Sequence, residues 1–129
     1  MARDGWEAGA ADAQFEHGRL SEISGGDAEF EREIAGEYVT QAWGLLAEIS
    51  AAIERGDPEL LRRSAHTLKG SSRTIGARGV AEMAAQLEKL AGHAGPLAAT
   101  LVGRISTALT STQQILDHYF GSDAYRRAA

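Results

Sequence analysis

A chain of 129 residues, 43% of them hydrophobic, is long enough to close one core, and a single folded domain is the expected organisation. Its 13 basic residues against 18 acidic ones leave a formal net charge of −5, which argues against nucleic acid or an anionic membrane surface as a partner. The absence of cysteine removes disulfides, thiolate chemistry and cysteine-ligated zinc; no apolar run approaches the roughly 18 residues of a membrane span, and MARDGWEAGA lacks a signal-peptide core, so the cytoplasm is the expected location.

Residues 1–10 are small, polar and glycine-containing and read as a flexible lead-in. A short helix follows, with Phe15, Leu20 and Ile23 as its apolar contacts, and ends at Ser24-Gly25-Gly26. Asp27 reads as the N-cap of a long helix on which Phe30, Ile34, Tyr38, Leu45, Ile49 and Ile53 recur at helical spacing, with Gly56 as its stop. In Asp57-Pro58-Glu59 a capping carboxylate, a proline whose missing N–H costs nothing and a first-turn acid start the next helix. Leu61, Ala65, Leu68, Ser72 and Ile75 form its inward stripe, and Gly76 ends it. Val80, Met83, Ala84, Leu87, Leu90 and Ala91 repeat the pattern up to Gly92 or Gly95. Gly95-Pro96 opens the last long helix, with Leu97, Leu101, Ile105, Ala108, Ile115 and Tyr119 inward and Gly121 as its end; 122–129 form a tail.

Four amphipathic helices joined by short loops must lie beside one another in alternating directions, because a few residues cannot traverse a helix. The expected fold is all-α: an antiparallel up-down-up-down four-helix bundle over 11–121, with a short additional helix at the N-terminus. No internal repeat, low-complexity segment or strand pattern interrupts it.

The stretch from Ala65 to Ala77, AHTLKGSSRTIGA, carries two patterns at once. A helix advances about 100° per residue, so with Leu61, Ala65 and Leu68 at zero, Arg62, His66, Lys69 and Arg73 fall at roughly 80 to 140°, in one outward row. Three fixed cations around an imidazole make a local anion site on an acidic protein. The imidazole adds a neutral ring nitrogen near pH 7 that can act as nucleophile or ligand. Gly70 falls near the same face; glycine inside a helix costs about 1 kcal/mol relative to alanine, and close approach of another backbone or a partner's surface would compensate.

Ala65-His66-Thr67-Leu68-Lys69-Gly70-Ser71-Ser72, then Gly76-Ala77 and Leu87-Glu88, resemble the signature of histidine-containing phosphotransfer (HPt) domains, the phosphoryl shuttles of two-component phosphorelays. The resemblance runs from about Leu20 to about Phe120 and includes the Gly-Asp-Pro lead into the third helix. It implies that His66 accepts a phosphoryl group on Nε2, that Lys69 offsets its charge, that Gly70 leaves room for a receiver domain, and that Ser71 and Ser72 are small where helices come close. Arg62 and Arg73 are given a supporting electrostatic part in docking. Response-regulator receiver domains and a hybrid histidine kinase are the implied partners, with Mg²⁺ held by the receiver and none by this chain, and a monomer suffices.

Glu88 is also reached by geometry. With the turn centred near Gly76 and Ala77, His66 and Glu88 stand at similar heights on neighbouring helices, where the carboxylate can accept from Nδ1–H and leave Nε2 as the nucleophile. No G-x-x-x-x-G-K-[ST] loop is present, so direct use of ATP is not expected. The rival readings are a helical-bundle interaction module that docks without passing phosphate, and a di-iron bundle, which needs Glu-x-x-His pairs this chain lacks. His17, His93 and His118 read as surface residues, and Trp6 and Trp43 as packing or loop residues.

Overall fold

A computed structural model describes residues 13–93 and 95–120; the lead-in with Trp6, Gly121 and the tail lie outside the described residues. Among the described residues the chain is helical: α1 His17–Ser24, α2 Ala28–Arg55, α3 Pro58–Ile75, α4 Arg78–Leu90 and α5 Pro96–Phe120, with a 3₁₀ turn at Ala91–His93. No strand forms among them, and the one extended pairing is an isolated bridge between Phe15 and Ala77. No helix among them is long and apolar enough to cross a membrane.

The expected caps are in place. Asp27 Oδ1 accepts from the Phe30 N–H and Asp57 Oδ1 from the Leu60 N–H, both at 3.1 Å, which satisfies donors that the first helical turn leaves unpaired. Gly56 and Gly76 end α2 and α3 in the left-handed conformation. At Gly76 the requirement is double: φ is +94°, and a Cβ there would stand 2.4 Å from the Glu16 carbonyl oxygen. The closeness arises because the segment before α1 is seated on the α3–α4 turn, with the Glu16 N–H donating to the Gly76 carbonyl at 2.8 Å and the Arg78 N–H to the Gln14 carbonyl at 3.3 Å.

α2 packs on α3 and α5, and α4 packs on α3 and α5, so the four long helices enclose one core while α1 lies against α2 and α3. The stripe expected on α3 is the buried one, with Ser64 added. On α2 the buried apolar side chains are Ala35, Tyr38, Val39, Ala42, Leu46, Ile49 and Ala52, whereas Phe30 is 45% exposed and Ile34, Leu45 and Ile53 are only partly covered. The stripe runs through the alanines: small side chains let neighbouring helices approach, and the larger ones flank the seam. The same drift corrects α5, where Ala98 rather than Leu97 continues the Leu101, Ile105 stripe and Leu97 is 56% exposed. Tyr119 is also exposed, and in α1 only Leu20 is fully buried, with Phe15 preceding the helix and Ile23 largely open.

Polar pairs tie the helices together. The Tyr38 hydroxyl and Ser72 Oγ meet at 2.7 Å in the core, Ser64 Oγ donates to Glu48 at 3.2 Å, and Trp43 Nε1 donates to Gln113 Oε1 at 2.7 Å. Burial pushes the Tyr38 hydroxyl pKa far upward, so it stays protonated and hydrogen-bonded.

Candidate functional site

α3 turns one face inward and the other outward, because Leu61, Ala65, Leu68, Ser72 and Ile75 bury while Arg62, His66, Gly70 and Arg73 remain exposed. The tight turn at Gly76 and Ala77 brings α4 back alongside α3 and sets Glu88 beside the outward row. Glu88 Oε2 lies 2.8 Å from His66 Nδ1, and Glu88 Oε1 accepts from Lys69 Nζ at 2.5 Å. One carboxylate thus engages two residues of α3, each through its own oxygen. The His66 side chain is 64% exposed, whereas those of Lys69 and Glu88 are near 20%.

The hydrogen bond from Lys69 holds the Glu88 carboxyl below the usual glutamate range; partial burial opposes this, and the bond with His66 adds to it. At neutral pH Glu88 is therefore a carboxylate, which can only accept, so the proton of the shared bond sits on His66 Nδ1. In the neutral ring Nε2 then keeps its lone pair. No hydrogen bond to Nε2 is present among the described residues, and the side chain is largely exposed.

The outward cations are less available than their row implies. Lys69 is directed at Glu88, and Arg62 is bonded to Glu59, one turn earlier on α3. Arg73 is exposed at the last turn of α3. Arg62 and Arg73 are exposed whereas Lys69 is largely covered, because helical spacing carries no information about acids on the neighbouring helix. The hydroxyls nearby are turned back on their own helix: Thr67 donates to the Arg63 carbonyl and Ser71 to that of Thr67, while Ser72 faces Tyr38.

Gly70 is exposed, and a Cβ there would meet nothing within 4 Å. The chain's own packing therefore does not require glycine at this position. Beside it, between α2 and α3, runs an open groove lined by Ile34, Glu37, Tyr38 and Gln41 from α2 and by Ser71, Thr74 and Ile75 from α3. Sequence periodicity did not reveal this groove, because its two walls come from different helices.

His17 is more than a surface residue. Its Nε2 lies 3.3 Å from Glu31 Oε1, and its ring stacks on Tyr119 with centroids 4.2 Å apart. Glu31 is buried and also accepts from Ser24 Oγ at 3.2 Å. No local pattern signals this cluster, since its members come from α1, α2 and α5. His93 and His118 are exposed. Among the described residues no group of three or more histidines and carboxylates is placed to hold a metal ion.

The family model described as the Hpt domain matches residues 33–115, a span that runs from the first turns of α2 to near the end of α5 and contains His66, Lys69, Gly70 and Glu88. Comparisons with curated proteins and with solved structures give no match.

Proposed function

Because the chain belongs to the Hpt domain family, whose members act in two-component phosphotransfer, we propose that it carries a phosphoryl group between aspartyl-phosphate receiver domains as a phosphohistidine on His66. The observation that carries this reading is the pairing of Nδ1 with a carboxylate on an imidazole whose side chain is 64% exposed and whose Nε2 has no hydrogen-bond partner among the described residues. Nε2 attacks phosphorus with its lone pair, the bond from phosphorus to the aspartyl oxygen breaks, and the receiver's carboxylate departs with the electron pair. The ring gains positive charge as the Nε2–P bond forms, and Glu88 stands at Nδ1–H to balance it.

Such transfers pass through a loose, in-line transition state, so catalysis is positioning and charge neutralisation. This chain contributes Lys69 and the oriented ring; Mg²⁺ and the aspartate belong to the receiver. It acts as a carrier with no turnover of its own and no kinase activity towards ATP. Receiver docking is assigned to the face around Gly70, with Arg73 and Arg62 as electrostatic support and the α2–α3 groove adjoining it.

The scaffold in this reading is an antiparallel up-down-up-down four-helix bundle of α2 to α5, with α1 as the additional helix. The pairs Tyr38–Ser72 and Glu48–Ser64, in which positions rise along α2 as they fall along α3, support that direction. The same reading expects a cytoplasmic monomer that serves receivers and a hybrid histidine kinase.

Incubation with a phosphorylated receiver domain tests the proposal. Wild-type protein should acquire acid-labile, alkali-stable label, and His66→Gln should fold and acquire none. Label retained in that variant would refute the assignment to His66, and receiver binding without any label would favour a docking module.

A further inference from the structure

We infer that Glu88 is a reversible counter-ion for Lys69, holding its ammonium while His66 Nε2 is unmodified and releasing it to the phosphoryl oxygens once Nε2 carries the group. This rests on the phosphocarrier reading of His66. In the structure the Lys69 ammonium donates to Glu88 Oε1 and its side chain is only 20% exposed, so its charge is already paired before a phosphoryl group arrives. The two contacts of the carboxylate use different oxygens, Oε1 for Lys69 and Oε2 for His66. Glu88 can therefore lose one partner and keep the other, and the ring stays oriented while Lys69 moves.

Charge decides the direction of the exchange. Glu88 offers one negative charge, whereas a phosphoryl group brings about −1.5 to −2 on three strong acceptor oxygens. Lysine is suited to the transfer, being a compact charge with three donors on a flexible stem. Lys69 and His66 are three residues apart on one face of α3, the spacing at which side chains are neighbours. Arg62 cannot substitute without giving up Glu59. It does lie within electrostatic reach of Glu88, so the carboxylate left by Lys69 keeps a cation nearby.

In the resting chain the Lys69–Glu88 pair thus opposes phosphorylation, and breaking it is part of the barrier. Glu88→Gln keeps an amide oxygen to accept from Nδ1–H and removes the charge that retains Lys69. The test uses phosphoramidate as the donor with no receiver present: the Nε2–P bond forms, the P–N bond breaks, and ammonia departs with the electron pair. Rates of acceptance are measured for wild type, Glu88→Gln, Lys69→Met and the double variant, with melting curves to confirm that each is folded. Lys69→Met should slow acceptance by a factor about two- to fivefold larger in the Glu88→Gln background than in the wild type, the range expected for breaking one partly exposed ion pair.

A direct readout on wild-type protein accompanies the rates. Through-hydrogen-bond coupling between the Lys69 ¹⁵Nζ and Glu88 ¹³Cδ nuclei should be present before phosphorylation and absent after it. Labelled protein in which that coupling persists, or a Lys69 effect no larger in the Glu88→Gln background, overturns the exchange and leaves the carrier reading standing. Failure of the wild type to accept label from either phosphoramidate or a phosphorylated receiver overturns both.

Discussion

Replacing Gly76 with alanine separates two costs that the structure superimposes at one residue. Gly56 and Gly76 both cap helices with positive φ, +64° and +94°, but a Cβ at Gly56 would meet nothing within 4 Å while one at Gly76 would lie 2.4 Å from the Glu16 carbonyl oxygen. Gly56→Ala should therefore cost only the left-handed backbone term, about 1–2 kcal/mol. Gly76→Ala incurs that term and forces Glu16 away. The Glu16 N–H bond to the Gly76 carbonyl is lost with it, worth about 1 kcal/mol net. Part of the anchorage of α1 follows, whose buried Leu20 sets a ceiling of about 1.5–3 kcal/mol.

The expected loss at Gly76 is about 3–5 kcal/mol, and at roughly 4 °C per kcal/mol for a domain of this size the melting temperature should fall at least twice as far as for Gly56→Ala. Urea denaturation followed by circular dichroism measures both variants. The smaller unfolded-state entropy of alanine offsets both equally and drops out of the comparison. Equal losses at the two positions would refute the reasoning, because they would show that the contact with Glu16 contributes nothing.

Three further outcomes are expected. Tyr38→Phe leaves the buried Ser72 hydroxyl without its cross-helix partner and should cost about 1–2 kcal/mol in denaturation; adding Ser72→Ala should restore most of it, and strictly additive losses would exclude the bond as the cause. Gly70→Leu should raise stability by about 0.8 kcal/mol through helix propensity while weakening receiver binding, so paired melting and binding curves that fall together, or binding left unchanged, would contradict the docking assignment. The Glu88 carboxyl is held below its usual value, chiefly by Lys69, so its stabilising contribution is complete above the ordinary glutamate range and is lost as pH falls through the lower folded-state value. The stability gap between wild type and Glu88→Gln should accordingly be constant near neutrality and close in acid, and a gap independent of pH would mean that the charge is not responsible.

Much of the scaffold is legible locally. Asp27 and Asp57 announce their helices because a cap involves only the residues of the first turn, and Asp57-Pro58-Glu59 states its position without reference to the rest of the chain. The two faces of α3 are equally local: intervals of three and four residues sort Leu61, Ala65, Leu68, Ser72 and Ile75 from Arg62, His66, Lys69 and Gly70. Where the seam runs through small residues the sequence is less explicit. The burial of Ala35, Ala42 and Ala98, and the exposure of Phe30 and Leu97, depend on how closely the neighbouring helices approach.

The sequence by itself determined which segments become helices, where they stop, and that one imidazole stands among cations on an outward face. Only the tertiary structure decided what these groups meet: Lys69 meets Glu88, His17 lies between Glu31 and Tyr119, and Gly76 sits under the Glu16 carbonyl. The division has a physical reason. Capping and helical faces follow from bonds and angles within a few residues, whereas a shared carboxylate or a stacked ring requires groups from different helices to reach one point in space, and that is set by how the packed helices cross.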